Sequence, residues 1–383
     1  MSREAPMIRP SDIQWWLLEA RKHPESALTI IEELAKRLTE LDQENERLRN
    51  DIVRLGQRPP TTAPSEEIKT LQRRLETLQS LLEGEASSEP CLVLLSERLQ
   101  SARLPLSQAR QLAHQDQPLL GRRDLLNLRC LLLVRPHEEL LLLTNHGRGL
   151  KTPLTDIPLL PAEATWPTTE GQGLADTERL TAALAVGEPP RFWTVATRRG
   201  YVQRFVRVAF DRQLIQGEPI VRSPLRHDAP VAIVDGDRGD LLLITRWGQS
   251  VRFSQRAIES QGSIALNLDD DDQVVAALAL PADAEILIVT ASGYAIRRDS
   301  AGIPAKTRPG GPGRVTIQSH DVLAVLPYTP EAHLLYLTYS GRVVSVSTAD
   351  LPAQERSGKG VLLRDMSLDP ALAVTFLSAE LLR

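Results

Sequence analysis

Five basic residues recur at one place in a repeated phrase. Four positions past a turn residue stand Arg103, Lys151, Arg204, Arg252 and Arg297, and the sixth copy has Ser345 there. A cation repeated at one structural position suits a polyanion, because a phosphate backbone is held by several spaced charges acting together. Further bases flank the set at Arg148, Arg198, Arg199, Arg246, Arg256, Arg298 and Arg342. Singly, each reads as part of a solvated face; recurrence makes them a candidate belt. Two glycine-rich loops add Lys306, Arg308 and Arg314 in one, and Arg356 and Lys359 in the other. Glycine there would let backbone amides approach a phosphate while Lys and Arg supply charge.

Other chemistry finds no constellation. The seven histidines show no metal-ligand spacing, either with each other or with a cysteine. There is no phosphate-binding Walker loop and no nucleophile elbow. The acidic run Asp269–Asp272 is contiguous and precedes a strand, so a solvated loop is expected. No catalysis, no cofactor and no metal are expected.

The elements that position the bases come from the phrase itself. Its clearest copies run Leu241 to Arg252 and Ile286 to Arg297. Four apolar residues precede a hydroxyl, two variable residues and a glycine, and the chain then re-enters a strand. The turn markers are Leu99, Gly147, Gly200, Gly248, Gly293 and Gly341, spaced 48, 53, 48, 45 and 48 residues apart. The hydroxyls are Ser96, Thr144, Thr197, Thr245, Thr290 and Thr338. A solid apolar run of this length predicts a strand buried on both faces. A strand-only period of this size predicts a mainly β six-bladed propeller over 91–383. Glycine supplies the positive-φ turn; Leu99 is expected to turn differently. Alternation then places the fourth residue opposite its apolar neighbours, such as Val251 and Phe253. Leading strands, often introduced by Asp (Asp228, Asp272, Asp321), precede the central ones. The final one, Ala371–Leu377, is expected to join the first blade and close the ring.

Upstream, 1–26 holds a short helix carrying Trp15 and Trp16, which either packs on a neighbour or docks a partner. Residues 27–57 show heptads, with Ile31, Leu38, Asn45 and Ile52 at a, and Leu34, Leu41, Leu48 and Leu55 at d. This pattern predicts a parallel homodimeric coiled coil, in which a lone buried Asn fixes the register. A Pro-rich linker (58–64), a second amphipathic helix (65–84) and a hinge (85–90) follow. The second helix either continues the dimer or folds back.

The phrase, with its leading strand, resembles the C-terminal β-pinwheel of bacterial DNA gyrase A and of the related topoisomerase IV subunit. That family carries a loop motif, Q-R-R-G-G-K-G, tied to DNA wrapping. Here Gln354, Arg356, Gly358, Lys359 and Gly360 match it, while Glu355 and Ser357 depart from it. The resemblance implies double-stranded DNA as ligand, with bending or wrapping. The DNA-cleavage domain has no counterpart in this sequence, and none of the five tyrosines follows an Arg as the family's nucleophile does.

The composition fits a soluble globular protein, and the resemblance implies a cytoplasmic one associated with the nucleoid. Apolar residues make up 42% and charged ones 25%, and no apolar run approaches a membrane span of about 20 residues. No secretory signal is visible in the first residues. Cys91 and Cys130 suit a reducing compartment as small buried apolar groups. The formal charge is −4, but residues 91–383 hold 32 bases and 32 acids, so binding requires the signs to be segregated. A protein-interaction scaffold is the alternative expectation.

Overall fold

The computed structural model describes residues 89–378, apart from 116, 162, 163, 172, 238, 282 and 283, together with Lys36. The short N-terminal helix, the heptad seam, the linker and the second helix lie outside the described residues.

Six small sheets follow one another along the chain. The first holds β1 (Cys91–Ser96), β2 (Ser101–Pro105) and β3 (Leu128–Val134). The second holds β4 (Glu139–Thr144), β5 (Gly149–Pro153) and β6 (Leu180–Val186), and the third β7 (Phe192–Thr197), β8 (Tyr201–Val206) and β9 (Pro230–Asp235). The fourth joins β10 (Asp240–Thr245) and β11 (Gln249–Ser254), with β12 (Ser263–Ile264) crossing back to the third, and is completed by β13 (Val274–Leu280). The fifth holds β14 (Glu285–Thr290) and β15 (Tyr294–Asp299). Two short strands, β16 (Ala305–Lys306) and β17 (Arg314–Val315), return to β11 before β18 (Val322–Pro327) completes the fifth blade. The sixth holds β19 (His333–Thr338) and β20 (Val343–Ser347), with β21 (Val361–Leu362) returning to β15 before β22 (Ala371–Leu377). Each central strand pairs with an outer strand on one side and an inner strand on the other.

The four consecutive apolar residues now have a cause. Leu241 and Leu243 enter the core shared with the third blade, while Leu242 and Ile244 enter the core shared with the fifth. A central strand is sandwiched between neighbouring blades, so both pleat faces must be apolar. All four are fully buried. Complete burial of one such side chain contributes about 1.5–3 kcal/mol.

The repeated hydroxyl marks a break in register. Pairing between central and inner strands shifts at Ser96, Thr144, Thr197, Thr245, Thr290 and Thr338. In several copies the hydroxyl oxygen accepts an N–H from across the hairpin, as Thr245 does from Gln249 at 3.1 Å and Thr290 from Tyr294 at 3.0 Å. The leading Asp accepts another: Asp272 from Trp247 N at 3.2 Å, Asp321 from Ser292 N at 2.8 Å, and Asp369 from Ser340 N at 2.9 Å. These Asp residues fasten the strand they introduce to the preceding repeat. Hence the leading strand is the inner strand of the blade before it.

That arrangement corrects the expected closure. β22 pairs with β19 as the inner strand of the last blade and does not join the first. The inner strands β3, β6, β9, β13, β18 and β22 pack in succession, and β22 packs against β3, which completes the ring. At the rim the first repeat reaches back to the last. Leu119 N donates to Gly341 O at 2.8 Å, and Pro118 bridges to Arg342. Leu119 and Leu120 are buried in the core between first and last blades.

The same clasp joins other neighbouring blades. The carbonyls of Gly147, Gly200, Gly248 and Gly293 accept N–H groups from Ile220, Ala265, Thr316 and Leu363 of the following repeat. Thus the turn glycine has two reasons to be glycine. Its φ is positive (+86° at Gly341, for instance), and a Cβ at Gly341 would lie 2.6 Å from Leu120 O. Leu99 was expected to turn differently, yet it adopts the same left-handed conformation at φ 60°. Such a conformation costs about 1–2 kcal/mol in a residue with a Cβ. The following repeat docks one residue away, through Gly171 N to Arg98 O at 2.7 Å.

Candidate nucleic-acid interface

The six fourth-position residues lie on the outer strands, facing away from Val251 and Phe253 and their equivalents as alternation requires. Most of their charge is engaged within the protein. Arg252 Nε pairs with Asp240 at 2.7 Å, and its Nη1 donates to the carbonyls of Ser300 and Ile303 in the next repeat. Arg297 makes a two-pronged pair with Glu285 at 3.0 and 2.8 Å, donates to Leu351 O at 3.2 Å, and stacks 4.0 Å above the Tyr328 ring. Arg204 donates to Gly236 O at 3.0 Å and stacks 3.8 Å above Phe192. Burial pulls its pKa down from the ordinary arginine value. Arg103 is 8% exposed, and its Nε has no hydrogen-bond partner among the described residues. Among the five bases Lys151 is the exposed one, 3.7 Å from Asp211. In the last blade His333 Nδ1 and Ser345 Oγ share a hydrogen bond at 3.0 Å.

The flanking bases divide in the same way. Arg148 grips Glu178 with two nitrogens at 3.0 and 2.7 Å. Burial alone would raise the Glu178 carboxyl, but hydrogen bonds from Thr144, Arg148 and Ala175 N outweigh it and hold the pKa below the usual value. A depressed folded-state pKa gives stability that is present above the unfolded value and is lost as pH falls through the folded one. Thermal melts of the wild type should therefore fall more steeply below about pH 4.5 than those of Glu178→Gln. Parallel pH profiles would refute the coupling.

Arg198 donates to His227 O at 2.5 Å, and Arg199 donates to the carbonyls of Asp270 and Asp272 at 3.2 and 3.3 Å. Arg246 donates to Asp271 O at 2.9 Å. The acidic run is thus a partner of the hairpin bases, and among the described residues no group of acids, His or Cys forms a metal site. Arg342 is exposed and has a partner; its charge helps hold the Asp369 carboxyl low, after the Ser340 and Thr338 hydrogen bonds that offset burial.

The two glycine-rich loops are different. Residues 305–315 fold back on β11 through β16 and β17, and residues 353–362 fold back on β15 through Ala353 and β21. Both therefore cap outer edges of the ring. They also touch each other's blade: Gln318 N donates to Gly358 O at 2.8 Å. Arg298, 6% exposed, braces them together, donating to Thr316 O at 3.3 Å and to Glu355 O at 2.7 Å. Lys306 ties its own loop, donating to the carbonyls of Gly310 and Pro312 at 2.6 and 2.8 Å. Within the gyrase-like sequence, Gln354 N donates to Arg297 O at 2.8 Å. Gly360 has φ +82°, and a side chain there would meet Ala295 O. Gly358 has more room, with the nearest atom 3.9 Å from a built Cβ.

What remains free on these loops is Arg308, Arg314, Arg356 and Lys359. All four are exposed. Their side-chain nitrogens make no hydrogen bond or ion pair among the described residues. Backbone bonds and the buried Arg298 fix the loops, so these four charges stand on an ordered rim.

A family profile described as the DNA gyrase C-terminal domain, a β-propeller, matches residues 138–161, 239–281, 284–311 and 333–369. The solved DNA gyrase A C-terminal domain superposes with a TM-score of 0.62 at 16% identity, covering 76% of this chain and 100% of that one. The propeller has the fold of the gyrase A C-terminal β-pinwheel. The solved C-terminal domain of DNA topoisomerase IV is similar to this pinwheel in fold, with a TM-score of 0.53 at 18% identity over 77% of this chain and 95% of that one. In sequence, the DNA gyrase A subunit of Haloquadratum walsbyi is 29% identical over 202 residues, 48% of this chain and 23% of the relative. That of Mycobacterium leprae is 28% identical over 198 residues, 47% of this chain and 15% of the relative. The aligned stretch is thus under a quarter of each of these gyrase subunits.

Proposed function

We propose that the pinwheel binds and bends double-stranded DNA along its rim, tolerantly of sequence and without catalysing a reaction. The observation that carries this reading is the paired loops, whose Arg308, Arg314, Arg356 and Lys359 side chains are exposed on a braced edge, with no partner among the described residues. Phosphate contacts of this kind position a duplex without reading it. Bending 20–30 base pairs by 40–90° costs on the order of 1–6 kcal/mol, so several contacts must act together. The heptad seam from Ile31 to Leu55 belongs to the same proposal. Two copies joined there would hold one duplex more tightly than either alone.

A relaxed-plasmid topology assay with gel-shift, run across salt, tests it. Binding that weakens steeply with salt, accompanied by a change in linking number after relaxation, is expected. No shift at low salt would overturn the reading and favour an interaction scaffold. One feature supports that second reading: exposed apolar side chains at Val206, Val208 and Ile215 (52%, 65% and 83% exposed) along the helix Arg207–Gln216.

A further inference from the structure

The clasp between blades carries a second regularity. The residue whose N–H reaches the carbonyl of the turn glycine is Leu119, Ile220, Ala265, Thr316 or Leu363. The residue just before it is apolar each time: Pro118, Pro219, Ile264, Val315 and Leu362. All five hold one register position, opposite the residue that follows the glycine. Ile264 pairs with Tyr201, Val315 with Gln249 and Leu362 with Tyr294, while Pro219 bridges to Arg148 and Pro118 to Arg342. Leu119, Ile220, Ala265 and Thr316 are buried. Alternation therefore turns the preceding side chain outward. Ile264, Val315 and Leu362 are 46%, 51% and 45% exposed. Singly, each is an ordinary exposed apolar residue; recurrence at one position makes them a row.

The row runs along a continuous band. Asn267 N donates to Gly311 O at 3.0 Å and Gln318 N to Gly358 O at 2.8 Å, so the segments returning to β8, β11 and β15 are bonded end to end. Cations stand beside the row on this band. Arg314 precedes Val315, and Lys359 lines the same hollow as Tyr294, the cross-strand partner of Leu362. Such interleaving suits the edge of a duplex. Along each DNA strand phosphates alternate with deoxyriboses. The phosphates take Arg and Lys, and the carbon–hydrogen face of the sugar takes an apolar surface. The apolar face of a protein partner would instead strand Lys359, a residue type depleted from interfaces.

We infer that Ile264, Val315 and Leu362 pack on the deoxyribose edge of a bound duplex, between the phosphates. This rests on the DNA-binding reading of the loops and adds to it a contact that salt does not screen.

Hydroxyl-radical footprinting of a linear duplex with the full chain tests it, because cleavage begins at deoxyribose hydrogens. Affinity is measured beside it across salt. The variant Ile264→Ser, Val315→Ser, Leu362→Ser should melt within about 2 °C of the wild type, since the three positions are exposed. It should keep the slope of log K against log salt and bind on the order of 10-fold more weakly at every salt concentration. The sugar protection that the wild type gives on the side of the duplex facing the rim should be lost. Each single serine variant, a smaller change to the fold, should show part of the same loss. The variant Ile264→Val, Val315→Ile, Leu362→Met keeps the row apolar and should keep both affinity and footprint. Serine variants with wild-type affinity and footprint would overturn the inference and leave DNA binding by the loops standing; a row that docks a protein gives this result. A flattened slope in the serine variants would also overturn it, because the lost contacts would then be to phosphate. A wild type that binds no duplex at low salt would overturn the loop reading, and this inference with it.

Discussion

Gly341→Val should open the ring. The valine Cβ would meet Leu120 O at 2.6 Å, and φ +86° is a conformation that a β-branched residue rarely adopts. Both effects fall on the rim clasp between the first repeat and the last blade, where Leu119 N reaches Gly341 O. Losing the clasp exposes Leu119 and Leu120, now 1% and 0% exposed. A destabilisation of about 3 kcal/mol or more is expected, at the upper end of ordinary substitutions. For a domain of this size the melting temperature should fall by about 6–12 °C. Hydrogen exchange should rise first in β1, β2, β19 and β20. A variant that melts within a degree of the wild type would show that the clasp contributes little. Deleting Ala371–Arg383 should also abolish cooperative unfolding, because it strips the inner strand from the last blade.

Neutralising Arg308, Arg314, Arg356 and Lys359 together should cut affinity for duplex DNA by on the order of 100-fold at low salt. The four side chains have no protein partners among the described residues, so their removal leaves no buried charge behind, and stability should change little. Charge reversal at Arg204, Arg252 and Arg297 is a different experiment. It would also weaken binding, but it leaves Asp240 and Glu285 facing a negative charge and costs folding stability. Separating the two outcomes requires a melting curve beside each binding curve.

Much of this architecture was legible in the residues. The apolar quartet such as Leu241–Ile244 announced a strand sandwiched between blades, and the glycine spacing gave the number of blades. Alternation placed Arg252 correctly on the face opposite Val251 and Phe253. What alternation leaves open is what lies across that face. Twelve residues before Arg252, Arg297 and Lys151 stand Asp240, Glu285 and Glu139, at the start of the paired strand. An antiparallel hairpin brings those ends together, so that recurring acid was the available sign of a bracket. The same comparison finds Cys91 before Arg103, Phe192 before Arg204 and His333 before Ser345, so the acid is lacking in three blades.

The ownership of the leading strands was not legible. A strand between two central ones can pair with either by period alone, which is why Ala371–Leu377 was assigned to the first blade. The deciding contacts are single hydrogen bonds, such as Asp321 to Ser292 N, made across 29 residues. The clasp from 118–120 to Gly341 was hidden for another reason. Its residues repeat no pattern, and only the closed ring brings them together.

The division between bases that build the ring and bases proposed to bind DNA is the centre of this account. The salt dependence of duplex binding tests it most directly, measured for the wild type and for the four-residue loop variant under one set of conditions. If the loops make four phosphate contacts, the plot of log K against log salt should lose about 3–4 units of slope in the variant. An unchanged slope, with affinity retained, would place the DNA elsewhere on the disc and contradict the account.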